Sequence, residues 1–430
     1  MLNVPKKART TLLFLLIFLV YISSPRFLGT MDGLPTRLIP ISILEEGNFD
    51  FDEFIDSSEY KNHPLYVFVE ADDHYFSKYP VLSSILALPV YAIPYFAGIP
   101  FTSALVTTLA KITAALITAL SAMLLFFIFR KYLSEKWSIF LVIIYAFGTS
   151  SWTISSQDLW QHGTSQLFLI LVVYLLLKPK KSDLVFLLTG LAVGLAIAAR
   201  YLNIIFAVIF FVYILYKYRE KILSVILGAS VPLTLLLIYQ AYYFSYFWQT
   251  GYSCDAFNVV PCIEHWHNPF WDGFGGLLIS PSRGLFVFSP FIILSIIGIW
   301  IVWKRKKEKN QEYRLLFRYL SIGVLIFTMV MSKWWAWYGG VTYGPRMLVD
   351  IVPFIMLFFI PVVLNDLFRK KAVIICFCLL IVFSIFVQFA GVIYWDSIWD
   401  NTFDSLSGDH SWLWDWNNSQ LFYYLERFFQ

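Results

Sequence analysis

The stretch 104-ALVTTLAKITAALITALSAMLLFFIF-129 runs for 26 residues with Lys111 as its single charge. About 18 apolar residues in a row are enough to cross the hydrocarbon of a bilayer as a helix. A buried helix of a soluble core explains one such run but not a series of them. Further runs lie near 10–26, 137–153, 162–177, 183–199, 202–216, 222–244, 285–303, 315–331, 347–364 and 371–393. The chain is 59% hydrophobic and 14% charged, with mean hydropathy +0.68. Soluble domains carry about 25% charged residues. The fold class expected is therefore all-α and polytopic in the membrane, with about eleven spans. The runs at 183–199 and 202–216 are short and separated by Arg200 and Asn203. Lys6, Lys7 and Arg9 precede the first run, and no small-x-small cleavage site follows it, so it reads as an uncleaved span.

Charge orients the bundle. Lys and Arg favour the cytoplasmic side of short loops. With the N-terminus cytoplasmic, 22 of the 32 Lys and Arg fall in six inner segments, and only six of the 28 acids do. The inner loops are short, and none holds a Gly-rich phosphate loop ending in Lys-Ser/Thr, so an ATP-driven engine is not expected. The chain reads as a single membrane domain over 1–430, in the plasma membrane of a prokaryote. Its chemistry is expected on the extracytoplasmic side, in segments 27–103, 243–284, 332–346 and 394–430. Nucleic acid is not an expected partner.

Within 27–103, Leu38, Ile39, Ile41, Ile43 and Leu44 precede Glu45-Glu46-Gly47, which predicts a short interfacial helix ending at Gly47. The stretch 49-FDFDEFID-56 reads as an edge strand or extended loop. The apolar run 76–100 is broken by Pro80, Pro89, Pro94 and Pro100, and predicts one or two helices lying in the interface. In 243–284, Cys254 and Cys262 sit where an oxidising compartment permits a disulfide. The tail 394–430 carries Trp395, Trp399, Trp412, Trp414 and Trp416, and is expected to fold back on the outer face.

The most unusual loop is 332-SKWWAWYGGVTYGPRML-348. An interfacial aromatic belt accounts for its tryptophans but not for Gly339-Gly340 or Gly344-Pro345-Arg346. Charged side chains at membrane depth are costly and usually functional. Asp32, Lys78, Asp158, His162, Arg200, Arg283, Arg346 and Asp350 all fall at the predicted outer ends of spans. Singly, each has an ordinary reading: Asp32 as a cap, the cations and Lys111 snorkelling to headgroups, Asp158 and His162 bonded to nearby backbone, Asp350 paired with Arg346 along a helix. Together, several cations at one membrane face suit a phosphate, which Arg grips with its planar fork. Trp337 and Tyr343 are candidates to stack on a sugar or an isoprenoid tail. The stretches 72-DDH-74 and 265-HWH-267 leave a divalent metal open, although solvated loops account for both.

The layout resembles the polytopic GT-C glycosyltransferases, the class of protein O-mannosyltransferases and the lipid A aminoarabinose transferase. The matching pieces are 31-MDGLPTRLIPISILEEGNF-49, 76-FSKYPVLSSILALPVY-91, 189-TGLAVGLAIAARYLN-203 and 343-YGPRML-348. Lys78-Tyr79-Pro80 resembles a Lys-Pro-Pro element that contacts the lipid phosphate in some members. Many members carry an Asp-Glu pair where this chain has Asp32-Gly33, a departure that bears on the second acid and on any metal role for it. The resemblance implies sugar transfer with inversion from a polyprenyl-phosphate donor to an acceptor hydroxyl on a glycan, lipid or protein. Asp32 is then the expected general base. Lys78, Asp158, His162, Arg200, Arg283 and Arg346 are the expected phosphate and substrate contacts. The alternative is a lipid or lipid-linked-sugar transporter or flippase, which needs no catalytic acid; a scaffold that binds a partner through its outer segments is a third reading.

Overall fold

Helix Ser103–Tyr132 spans 30 residues, begins where the Thr102 hydroxyl accepts from Leu105 N, and ends with Arg130 and Lys131 in its last turn. A hydroxyl at the start satisfies an otherwise unpartnered amide, and cations at the end complement the helix dipole. The structure, a computed structural model, describes residues 5–55, 67–71, 73–252, 265–304, 313–365, 370–403 and 409–428. Cys254 and Cys262 lie outside the described residues.

Among the described residues, five helical segments are long and apolar enough to cross a membrane: Ser103–Tyr132, Arg219–Tyr243, Tyr313–Ser332, Arg346–Val363 and Lys371–Tyr394. The other apolar runs are helical but shorter, as in Lys6–Ile22, Glu135–Gly148, Gln161–Leu176, Asp183–Ala199 and Ile204–Lys217. Two runs expected to be continuous are broken. The 285–303 run splits at Ser289-Pro290 into Leu285–Phe288, a 3-10 turn and Ser295–Lys304. The 347–364 run opens as a 3-10 turn, Arg346–Ile351, and continues as Val352–Leu357 and Phe359–Val363. Pro290, Pro353 and Pro361 lack the amide that a continuous helix requires.

Helix–helix contact is closest where side chains are smallest. Gly190 and Gly194, four apart on helix Asp183–Ala199, face helix Ile222–Tyr243. A Cβ on Gly190 would lie 2.0 Å from Val225 O, and one on Gly228 would lie 1.9 Å from Leu187 O. This is the small-residue crossing that lets membrane helices pack backbone to backbone. The opposite face of helix Ile222–Tyr243 exposes Leu223, Ile226, Leu227, Val231, Leu235 and Ile238, an apolar surface suited to lipid.

At one end of the bundle lies the 27–103 segment. Its first helix, Leu34–Glu45, ends at Gly47, whose φ of +75° is the left-handed conformation that glycine adopts without strain. Among the described residues of the 49–56 stretch, Asp50 bridges Phe76 and Asp52–Ile55 is a helical turn. An antiparallel hairpin pairs Phe68–Ala71 with His74–Ser77. The proline-rich run forms one helix, Leu82–Phe96, bearing Pro89 and Pro94. The tail packs back on the same end, burying Trp395, Trp399 and Leu413.

Candidate functional site

Asp32 sits in the 3-10 turn Met31–Gly33, between helices Lys6–Ile22 and Leu34–Glu45. Arg37, one turn further on, holds that turn from below: its Nη2 donates to Thr30 O at 2.8 Å and its Nε to Gly33 O at 3.1 Å. Thr36 donates to Leu159 O at 2.6 Å, tying the turn to the 156–160 loop. The approach is so close that a Cβ on Gly33 would lie 2.0 Å from Asp158 Oδ2. Gly33 is therefore required by space, not by its φ of −82°.

Asp158 is fully engaged beneath the turn. It accepts from Leu159 N and Trp160 Nε1, each at 2.7 Å, and lies 3.6 Å from Arg37 Nε. Burial pushes its pKa above the usual carboxylate range, against the opposing pull of Arg37. It anchors the loop and does not line the cavity described below.

Arg346 arrives from the opposite side, on the turn that opens the Arg346–Val363 segment. Its Nη1 lies 2.6 Å from Asp32 Oδ2 and donates to Gly339 O at 3.1 Å; its Nε donates to His162 Nε2 at 3.2 Å. The guanidinium carbon stands 4.2 Å above the Trp160 ring, a cation–π distance. Behind it, His162 Nδ1 meets Asp350 Oδ2 at 2.8 Å, and Arg200 Nη1 closes an ion pair with the same oxygen. The expected helical pairing of Asp350 with Arg346 is thus replaced by pairing across three chain segments. The 3-10 start of this segment turns Asp350 into the bundle, where it is fully buried.

A cavity of about 620 Å³ opens beside the Asp32–Arg346 pair. Phe27, Thr30, Arg37 and Trp395 contribute to its wall along with the pair itself. Its lining comes from helix ends and the connections between them: 27–37, 103–107, 340–346 and 395–401. It therefore sits at the end of the bundle and not midway through it. Lys78 does not line the cavity but interacts with the Asp32 carboxylate: its pKa is lowered chiefly by burial, and the carboxylate opposes the shift. Tyr252 packs edge-on against Tyr79 and Tyr201 and receives the Gln161 amide at 3.4 Å.

Arg283, Trp337 and Tyr343 do not line the cavity, and each has partners of its own. Arg283 pairs with Asp400 at 2.5 Å and donates to Tyr338 O and Gly340 O at 2.9 and 3.2 Å. Trp337 Nε1 donates to Asp272 at 3.0 Å, and its ring fills the space above Gly276. Tyr343 donates to Val387 O at 2.8 Å and packs on Phe288. These three build the turn, and Arg346 is the member that the turn presents. Gly339, Gly340 and Gly344 have φ of +87°, +68° and +71°, so each glycine permits a left-handed step. Gly339 O binds Arg346 and Gly340 O binds Arg283, which fixes the turn between two guanidiniums. Gln420 from the tail completes it, accepting from Gly344 N at 2.9 Å and donating to Thr342 O at 2.8 Å.

Sequence reasoning missed Arg37, Trp160, Asp400 and Gln420. Arg37 carried a readable signal, a lone cation followed directly by Leu38 and Ile39 in a stretch that reads as a short helix. Of the two metal-like stretches, His74 approaches Asp52 at 2.5 Å with Asp50 nearby, the three donor groups lying within 4.8 Å of one another, while Asp72 is outside the described residues. None of the three lines the cavity. His265 packs against Trp334 and Trp335.

No family model matches the chain, and no curated protein matches it in sequence. Among solved structures, the chain is similar to the crystal structure of ArnT from Cupriavidus metallidurans bound to undecaprenyl phosphate, at 11% identity and a TM-score of 0.47. The match covers 84% of this chain and 60% of that one, so this chain spans less than two thirds of that protein's length. A likeness at that level carries no argument about the chemistry here.

Proposed function

We propose that this protein transfers a sugar from a polyprenyl-phosphate donor to an acceptor hydroxyl on the extracytoplasmic side of the membrane, with inversion. The observation that carries the reading is the Asp32–Arg346 pair, 2.6 Å apart at the edge of an about 620 Å³ cavity at one end of an apolar helical bundle. A carboxylate and a guanidinium placed together beside a cavity supply the two groups that transfer from a phosphate requires, a proton acceptor and an anion stabiliser.

At 2.6 Å the two groups leave no room for a sugar between them. Donor entry therefore separates them: the phosphate replaces the carboxylate on Arg346, and Asp32 is released as a base. The acceptor oxygen then bonds to the anomeric carbon while its proton passes to the Asp32 carboxylate. The bond from that carbon to the phosphate oxygen breaks, and its electron pair stays on the phosphate. Arg346 and Lys78 hold the added negative charge. A flippase has no use for the carboxylate, because no bond is made.

The test is sugar transfer by the purified protein in lipid nanodiscs, using a panel of undecaprenyl-phosphate-linked sugars with detection of free undecaprenyl phosphate. Release of the lipid phosphate with appearance of a glycosylated product supports the reading. Movement of intact donor across a sealed vesicle without bond cleavage replaces it with the transport reading.

A further inference from the structure

We propose that His162 is a positioning residue that aims Arg346, and that Asp350 and Arg200 act through it by fixing its tautomer. This rests on the functional reading above, in which Arg346 is the phosphate contact.

A guanidinium has five N–H donors and no acceptor. Arg346 Nε lies 3.2 Å from His162 Nε2, so Nε2 must be the unprotonated, accepting nitrogen. The proton of the neutral ring is then on Nδ1, where Asp350 Oδ2 receives it at 2.8 Å. Arg200 Nη1 also approaches Nδ1, at 3.5 Å. Both atoms carry hydrogen, so that approach is no hydrogen bond; the two donors converge on the one Asp350 oxygen. Arg200 holds the carboxylate, the carboxylate holds the Nδ1 proton, and the proton's location leaves Nε2 open to Arg346.

The groups facing His162 enforce this state. Arg200 and Arg346 are cationic, Asp350 is the one anion in contact among the described residues, and Trp160 lies edge-on with ring centroids 6.0 Å apart. A proton on Nε2 would set two N–H groups against each other and release Arg346. With Nε2 open, the guanidinium is fixed three ways: in its plane by His162 and Gly339 O, and across its plane by the Trp160 face. Its Nη1 edge is thereby directed at Asp32. A mobile arginine must be ordered when it binds an anion, whereas one held in place loses less freedom on binding.

Two substitutions separate the two ring nitrogens. The amide of His162→Gln reaches the Nε2 position and offers Arg346 an acceptor. The amide of His162→Asn reaches only the Nδ1 position, so it keeps a donor for Asp350 and abandons Arg346. Binding of undecaprenyl phosphate to the full-length protein in nanodiscs should weaken by about tenfold in His162→Asn, the loss of one charge-assisted contact, and stay near wild type in His162→Gln. The ring state is read independently in protein labelled with nitrogen-15 histidine. Six histidines give six pairs of ring-nitrogen signals, and His162→Gln identifies the pair of interest, expected as the neutral Nδ1–H form. An Nε2–H ring or an imidazolium at neutral pH overturns the proposal, as does a folded His162→Asn variant that binds as tightly as His162→Gln and wild type. If wild type itself does not bind undecaprenyl phosphate, the functional reading fails while the tautomer remains decided by the nitrogen signals.

Discussion

Asp32 and Arg346, 314 positions apart in the chain, meet at 2.6 Å between Oδ2 and Nη1. Neither is held by the other alone. Arg37 fixes the turn under Asp32, and His162, Gly339 and Trp160 fix Arg346. A pair anchored independently on both sides can open when an anion competes for the guanidinium, with each group still tethered by its own partners.

Asp32→Asn keeps the size of the side chain and removes its basicity. Transfer should fall by about 10²–10⁴-fold, the usual contribution of a general base, while undecaprenyl phosphate still binds. Sugar transfer and lipid binding measured on the same preparation decide it. Near-normal transfer removes Asp32 from the role of base.

Arg346→Ala removes the proposed phosphate contact. Hydrogen bonds to charged groups contribute about 1.5–3 kcal/mol, so lipid affinity should drop tenfold or more. Arg346→Lys should recover part of it, because an ammonium restores the charge but not the planar fork. Equal affinity in wild type and Arg346→Ala would place the phosphate elsewhere.

Arg283 should behave differently. It forms a buried pair with Asp400, so Arg283→Ala leaves a buried carboxylate that keeps its hydrogen bonds from Trp395 and Gln420 but loses its cation, and should destabilise the protein by about 3–5 kcal/mol. Replacing both, as Arg283→Met with Asp400→Leu, should cost less than the single change. Thermal unfolding of the three proteins in one detergent tests this. A fully stable Arg283→Ala variant with lost lipid binding would return Arg283 to the ligand site.

Gly33→Ala brings a methyl group to within 2.0 Å of Asp158 Oδ2, where the carboxylate is held by three partners. Overpacking of this kind costs about 1–3 kcal/mol, and the Asp32 turn must shift. A lower melting temperature with reduced transfer is expected. Unchanged values for both would show that the turn relaxes freely.

Lys78 supplies a pH test. Burial lowers its folded-state pKa below the ordinary 10.5. Between those two values the unfolded chain binds the extra proton, so stability of the ligand-free protein rises with pH across that window. Affinity for a phosphate runs the other way, since it needs the ammonium. Undecaprenyl phosphate binding should therefore weaken as pH rises through the lowered value, and Lys78→Met should lack that step. The same alkaline profile in both proteins excludes Lys78 as a phosphate contact.

The sequence by itself determined the membrane character, the runs that become helices, the break at Arg200, the short helix ending at Gly47, and the glycine positions of the 339–344 turn. These follow from local properties: apolar length, lost amides at proline, and backbone freedom at glycine. Even there, prolines within the 285–303 and 347–364 runs broke helices that composition alone made continuous. Only the tertiary structure decided which cations face the cavity. Arg283 and Arg346 look alike in sequence, each near Gly and Pro at the end of an apolar run. Asp400 and Gln420, far along the chain, arrive beside the first and its turn, while Asp32 and His162 arrive beside the second. A buried charge takes the partner that folding brings within reach, because desolvation is offset only by close contact. That distance in space, which chain position does not encode, separates the arginine that builds the turn from the one the turn presents.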